Sequence, residues 1–223
     1  MDRRKNSSTV PRNDPASSAY AQIRSRILAW RRTGTETATV PMVVVLASRR
    51  VGEGVSTVCA ELGRSLQAEL GDTVLLIDSA SGPADLVNML DADCQPLTLS
   101  RIQESLPADV RQLTACGRAL ALPVIRVAES AILESAEWSS VVAQLCRHYT
   151  VILVDAGALH SNVPHLWSHW ATGSLLIIDA ALTSVMELER LRAEMTGYGV
   201  KFAGAILNKK AFHVPAALYR YLS

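Results

Sequence analysis

Lysine is scarce in this chain of 223 residues. Only four of its 22 basic residues are lysines (Lys5, Lys201, Lys209 and Lys210), and none lies between positions 6 and 200. Long apolar runs are missing too. The longest reach about eight residues, around Val43–Ala47 and Leu175–Ile178, against the 18 or so that a membrane helix needs. The charged first residues are not followed by an apolar stretch, so they do not read as a secretory signal. Four cysteines (Cys59, Cys94, Cys116 and Cys146) lie far apart with no CxxC pair. They read as buried reduced thiols, which sets the expected location as cytosolic. Neither an internal repeat nor a heptad array is present. The net charge of +1 names no partner, but it hides an asymmetry: residues 1–32 carry +6 and residues 33–223 carry −5.

What is present falls into three parts. Residues 1–16 are polar, basic and proline-punctuated, and are expected to form a disordered, solvated arm. No aromatic side chain interleaves its arginines up to Arg12, so a nucleic-acid role is not favoured. Residues 17–39 form a helix and a Gly/Thr-rich linker. Tyr20, Ile23, Ile27 and Trp30 recur at helical spacing, with Arg24, Arg26, Arg31 and Arg32 on the opposite face, and Asp14 or Ser17 is the expected cap. From residue 40 to 223 the texture is that of a globular domain.

Within that domain, strands alternate with helices. Met42–Ala47, Thr73–Ile77, Leu122–Val127, Thr150–Val154, Ser174–Ile178 and Lys201–Leu207 read as strands. Ser56–Leu70, a stretch from about Glu134 to Arg147, and Val185–Thr196 read as helices. Continuous apolar strands indicate burial on both faces. The fold class is therefore α/β, a mostly parallel sheet with helices on both faces. Such sheets bind ligands at the carboxyl ends of their strands, where the loop 48–57, Asp78 and Asp155 fall. Residues 80–120 carry no interpretable motif.

The loop reads Ser48-Arg-Arg-Val-Gly-Glu-Gly-Val-Ser-Thr57. Its glycines let N–H groups point inward, and the helix that follows adds unpaired donors and a positive dipole end, which suits phosphate. Ser56 or Thr57 offers a hydroxyl to Mg²⁺, and the two strand-terminal aspartates supply carboxylates. A dinucleotide loop fits less well. Thr57 stands where its third glycine belongs, and four residues separate the strand from Gly52. His165 and His169, interleaved with Trp167 and Trp170, read as packing residues. The charged residues Glu187, Glu189, Arg190, Arg192 and Glu194 read as a solvated helix face.

Five segments together resemble one family. Gly52-Glu-Gly-Val-Ser-Thr57 resembles the GEGKST Walker A motif of bacterial tyrosine kinases (BY-kinases) and their exopolysaccharide-synthesis relatives, which belong with the MinD/ParA-like P-loop NTPases. Val74-Leu-Leu-Ile-Asp78 resembles their Walker A′ strand, and Tyr149-Thr-Val-Ile-Leu-Val-Asp155 their Walker B strand. Gly204-Ala-Ile-Leu-Asn-Lys209 resembles GVVLNK, whose asparagine lies near the base. Ala19-Tyr-Ala-Gln-Ile-Arg24 is similar to the EAYRxLR segment through which these kinases form rings. The resemblance implies ATP and Mg²⁺ as cofactors. It implies nucleotide contacts from Gly52, Glu53, Gly54, Val55, Ser56, Thr57 and Asn208, and metal contacts from Ser56, Asp78 and Asp155. Asp78 and Asp155 are the implied catalytic residues, and Tyr219 and Tyr221 the implied phosphate acceptors. A membrane chain-length (polysaccharide co-polymerase) protein is the implied partner, together with self-association and a position at the inner face of the plasma membrane.

The departures concern charge. The Walker A lysine position holds Val55, with neither charge nor donor, and no lysine lies near it in sequence. The second Walker A′ aspartate is Ala80, and the Arg-Arg that follows it is Gly82-Pro83. In the ring motif Ser18 replaces the glutamate and Ala21 the first arginine. Phosphoryl transfer rests on positioning and charge neutralisation. These losses imply a pseudokinase in exopolysaccharide or capsule synthesis or export. An active tyrosine autokinase and a MinD/ParA-like positioning ATPase are the alternatives.

Overall fold

The apolar run at 42–47 becomes β1 (Met42–Ser48), in which every residue is buried. Its alternate side chains go to opposite faces: Val43 and Val45 join one core cluster, Val44 and Leu46 the other. A strand buried on both sides needs helices above and below, and the computed structural model supplies them. It describes residues 15–32, 41–79, 85–98, 115–116, 122–133 and 135–209.

The elements in chain order are α1 (Pro15–Arg32), β1, α2 (Val55–Leu70), β2 (Val74–Asp78), α3 (Asp85–Met89), β3 (Ala115–Cys116) and β4 (Pro123–Arg126). They continue with α4 (Glu129–Leu133), α5 (Ser135–His148), β5 (Val151–Ala158), α6 (Val163–Trp167), β6 (Gly173–Asp179), α7 (Val185–Gly197) and β7 (Phe202–Asn208). The strands form one sheet in the order β3-β4-β2-β5-β1-β6-β7. Every neighbouring pair is parallel except β3–β4, so the expected parallel sheet is present with one short antiparallel edge inside the stretch that carried no motif. The chain runs from β1 outward through β2 on one side and β6 on the other. That reversal opens a crevice at the carboxyl ends.

One face is covered by α1, α2 and α3, which bury Ile27, Val58, Leu62, Leu66 and Leu86, with Leu90 just after α3. The other is covered by α4, α5 and α6 around Trp138, Val141, Leu145 and Trp167. The two tryptophan rings meet edge to face at 5.5 Å. A smaller cluster joins Leu191 and Met195 of α7 to Leu176 and Ile178 of β6. His165 and His169 each sit against an aromatic ring, Tyr198 and Trp170, as packing residues do.

α1 begins at Pro15, so Ser17 lies within the helix and does not cap it, while Asp14 lies outside the described residues. Its apolar stripe is used within the chain: Ile27 is fully buried, and Tyr20, Ile23 and Trp30 pack against the same cluster. Arg24 is not on a free basic face. Its guanidinium donates to the Ser65 carbonyl at 3.2 Å and pairs with Glu69 at 2.8 Å, joining α1 to α2. That pair is half exposed and adds no more than about 1 kcal/mol; the apolar stripe holds the helix. Ile27→Ala is expected to cost about 2–4 kcal/mol in urea unfolding. A smaller loss would show that α1 contributes little to the domain.

Candidate functional site

Backbone conformation builds the loop after β1. Gly52 and Gly54 both have positive φ, 85° and 97°, which β-carbon-bearing residues rarely adopt. Gly54 is also the N-cap of α2 and, having no side chain, gives no cap hydrogen bond. The first N–H groups of α2, on Val55, Ser56 and Thr57, therefore lack a capping acceptor, and the dipole of a 16-residue helix lies behind them. This is the local chemistry of an anion site.

The loop is braced from three directions. Glu53 is only 3% exposed, and its Oε2 accepts the Arg49 N–H at 2.9 Å and the Arg50 N–H at 3.1 Å. Its carboxylate thus turns back into the loop as a brace. The Ser48 hydroxyl donates to the Arg50 carbonyl at 2.8 Å. From the far end of the sequence, Asn208 Nδ2 donates to the Glu53 carbonyl at 2.9 Å and Lys209 Nζ to the Gly52 carbonyl at 2.6 Å. A β-carbon on Gly54 would collide with the Asn208 amide. Gly54→Ala is therefore expected to cost at least about 2 kcal/mol, by adding left-handed strain and displacing Asn208. Thermal unfolding measures it; a neutral result would refute the close approach.

Val55 is 7% exposed and belongs to the same apolar cluster as Leu46 and Val58. What is a lysine in the motif it resembles is a core side chain here. The fold does bring an amine to the loop, but Lys209 binds its outer carbonyl and pairs with Asp179 at 3.3 Å. Arg49 and Arg50 both pair with Glu187 in the first turn of α7. Glu187 is thus not part of a solvated face, unlike the exposed Glu189, Arg190 and Glu194. No periodicity in the sequence signalled that pairing. Lys209, by contrast, directly follows the motif asparagine.

Asp78 and Asp155 are partners in register on the adjacent parallel strands β2 and β5, and each is 1% exposed. Asp78 Oδ2 accepts the Val87 N–H of α3 at 3.1 Å, and Asp155 Oδ1 accepts the Gly157 N–H at 3.1 Å. Both carboxylates also face α2. The thiol of Cys59 is pushed well up, first by complete burial and then by the charges of Asp155 and Asp78. Ser56, three residues earlier, shares that helix face and is half-buried, whereas Thr57 is exposed. Ser56 is thus the candidate hydroxyl on the Cys59 face of α2. Two carboxylates and a hydroxyl are hard oxygen donors that suit Mg²⁺, which completes its shell with waters and phosphate oxygens. Among the described residues no cluster of three or more His, Cys, Asp or Glu side chains forms a metal site. Next to Asp78, the Ser79 hydroxyl accepts the buried Trp167 Nε1–H at 2.7 Å. Ala80, Gly82, Pro83, Tyr219 and Tyr221 lie outside the described residues.

The fold is shared with solved proteins. The kinase domain of VpsO matches with a TM-score of 0.67 at 20% identity, over 88% of this chain and 97% of that one. The kinase domain of the Escherichia coli tyrosine kinase Etk matches with a TM-score of 0.67 at 18% identity, over 92% and 80%. The chain has their P-loop fold. MinD of Aquifex aeolicus shares it, with a TM-score of 0.59 at 20% identity, over 81% of this chain and 72% of that one. No protein-family model and no curated protein sequence matches the chain. In this fold the loop Ser48–Thr57 follows β1, the carboxylate pair lies on β2 and β5, and Asn208 and Lys209 stand at the end of β7. Among the described residues no helix is long and apolar enough to cross a membrane.

Proposed function

We propose that this protein is a degenerate relative of the bacterial tyrosine kinases, a nucleotide-binding pseudokinase that regulates exopolysaccharide or capsule synthesis or export. The observation that carries this reading is the split within one site. Its glycine geometry, uncapped helix start and paired buried aspartates are intact, whereas the cationic position is a buried valine. Gly52, Gly54, Val55, Ser56 and Thr57 hold phosphate through their main chain, and Asn208 stands on the base side. Mg²⁺, when bound, neutralises phosphate charge; Ser56, Asp78 and Asp155 hold it. Weak Mg·ATP binding and little phosphoryl transfer follow, because losing one preorganised charge contact on a transferring group costs orders of magnitude in rate.

The partner in this reading is a membrane chain-length protein, which holds the chain at the inner face of the plasma membrane. Because α1 buries its apolar stripe against α2, contact with the partner or a second copy falls to its outward residues, such as Ser18, Gln22, Ser25 and Arg26.

The test is calorimetric titration with Mg·ATP together with an autophosphorylation assay on the full chain. Weak binding without phosphotyrosine is expected. Robust phosphate on Tyr219 or Tyr221 would favour the active autokinase, and nucleotide-dependent dimerisation without it would favour the positioning ATPase.

A further inference from the structure

We propose that Arg49 and Arg50 are the phosphate-binding cations of this loop, and that Glu187 holds them in reserve until an anion arrives. The inference rests on the nucleotide-binding reading and assigns the charge that Val55 does not supply.

Three observations converge. First, the loop has donors for an anion but no cation among them. The amides at the start of α2 lack a capping acceptor, Val55 is packed in the core, and Lys209 is committed to the Gly52 carbonyl and Asp179. Second, the main chain of both arginines is fixed in the loop, since their N–H groups bind one oxygen of the buried Glu53 carboxylate. The other oxygen, Oε1, is buried without a hydrogen-bond partner among the described residues. Third, both guanidinium groups share a single carboxylate, that of Glu187, with Arg50 Nη2 at 3.7 Å. One carboxylate cannot satisfy two forks, each carrying five donors. The side chains of Arg49 and Arg50 are 35% and 48% exposed, so leaving Glu187 uncovers no core.

A di- or triphosphate offers more charge and more acceptor oxygens than Glu187, and guanidinium matches phosphate oxygens in a bidentate manner. The exchange trades a half-exposed ion pair for charge-assisted bonds beside a helix N-terminus. Glu187 then acts as a competitor: it keeps the arginines near the loop and sets the affinity that phosphate must exceed.

The test uses the full chain and calorimetry with Mg·ADP, Mg·ATP and, as a base-free probe, inorganic tripolyphosphate. Glu187→Gln is expected to tighten all three roughly threefold to fivefold, the range set by a half-exposed pair. Arg49→Ala combined with Arg50→Ala is expected to weaken all three about tenfold or more and to abolish the gain from Glu187→Gln. Unchanged binding in Glu187→Gln, or full binding in the double-arginine variant, overturns the proposal. Val55→Lys separates the two ideas. If it binds nucleotide tightly while the Glu187 and arginine variants behave like the parent, the loop is a phosphate site and only the reserve cations are wrong. If none of the variants binds any probe, the nucleotide reading falls, and this inference falls with it.

Discussion

Val55→Lys is expected to tighten Mg·ATP binding by about tenfold or more, since a charge-assisted contact to phosphate contributes about 1.5–3 kcal/mol. The site is prepared for the substitution. Position 55 opens α2, directly after the left-handed Gly54, where the N–H groups already converge. The valine side chain lies along the apolar surface formed with Leu46 and Val58. A lysine stem can follow the same surface and carry its ammonium to the loop mouth. Replacing one buried branched side chain costs about 1–2 kcal/mol of folding stability, which a thermal melt run in parallel reads separately. Unchanged affinity in a folded variant would mean that the loop does not hold phosphates. Turnover is not expected to return with affinity, because position 80 still lacks its carboxylate.

Trp167→Ala should lose about 3–5 kcal/mol, the range for removing a fully buried large aromatic side chain. The residue links three parts of the structure. Its ring meets Trp138 of α5 edge to face, it packs against Trp170 at 6.0 Å, and its indole N–H reaches Ser79 beside the Asp78–Asp155 pair. Trp167→Phe keeps most of the volume and removes only the hydrogen bond, so about 1–2 kcal/mol is expected, including a buried hydroxyl left without that donor. Chemical denaturation followed by far-UV circular dichroism gives both values. Equal losses in the two variants would show that the hydrogen bond, not the packing, anchors α6. If the nucleotide reading holds, Trp167→Phe also weakens Mg·ATP binding, because Ser79 adjoins the metal-side carboxylate.

The sheet was legible in the sequence because its strands are buried on both faces. Val43–Leu46, Val74–Ile77 and Val151–Val154 suit strands covered on both faces, and most boundaries shift by a residue or two, while the end of β5 moves by four. β1 extends to Ser48, β7 runs from Phe202 to Asn208, and β5 continues to Ala158, past the aspartate expected to end it. The loop was equally legible, since a glycine pair ahead of a helix permits few conformations. What stayed hidden depends on contacts between distant segments. Nothing local in Glu187 distinguishes it from Glu189, yet one pairs with the loop and the other faces water. Arg24 looked like a member of a basic face, because helical spacing cannot show that α2 brings a carboxylate and a carbonyl alongside it. The role of Trp167 depends on Ser79, 88 positions earlier.

The contacts of Asn208 and Lys209 with the loop span 155 and 157 positions. Closures over such a span come late because their entropy must be met first. The loop at 48–57 is made early at the ribosome but gains these two contacts only when β7 has docked beside β6. Any chain cut short before residue 208 would carry the glycine loop and both aspartates and still lack the side chains that brace the loop from β7. If the nucleotide reading holds, competence to bind signals that β7 has joined the sheet.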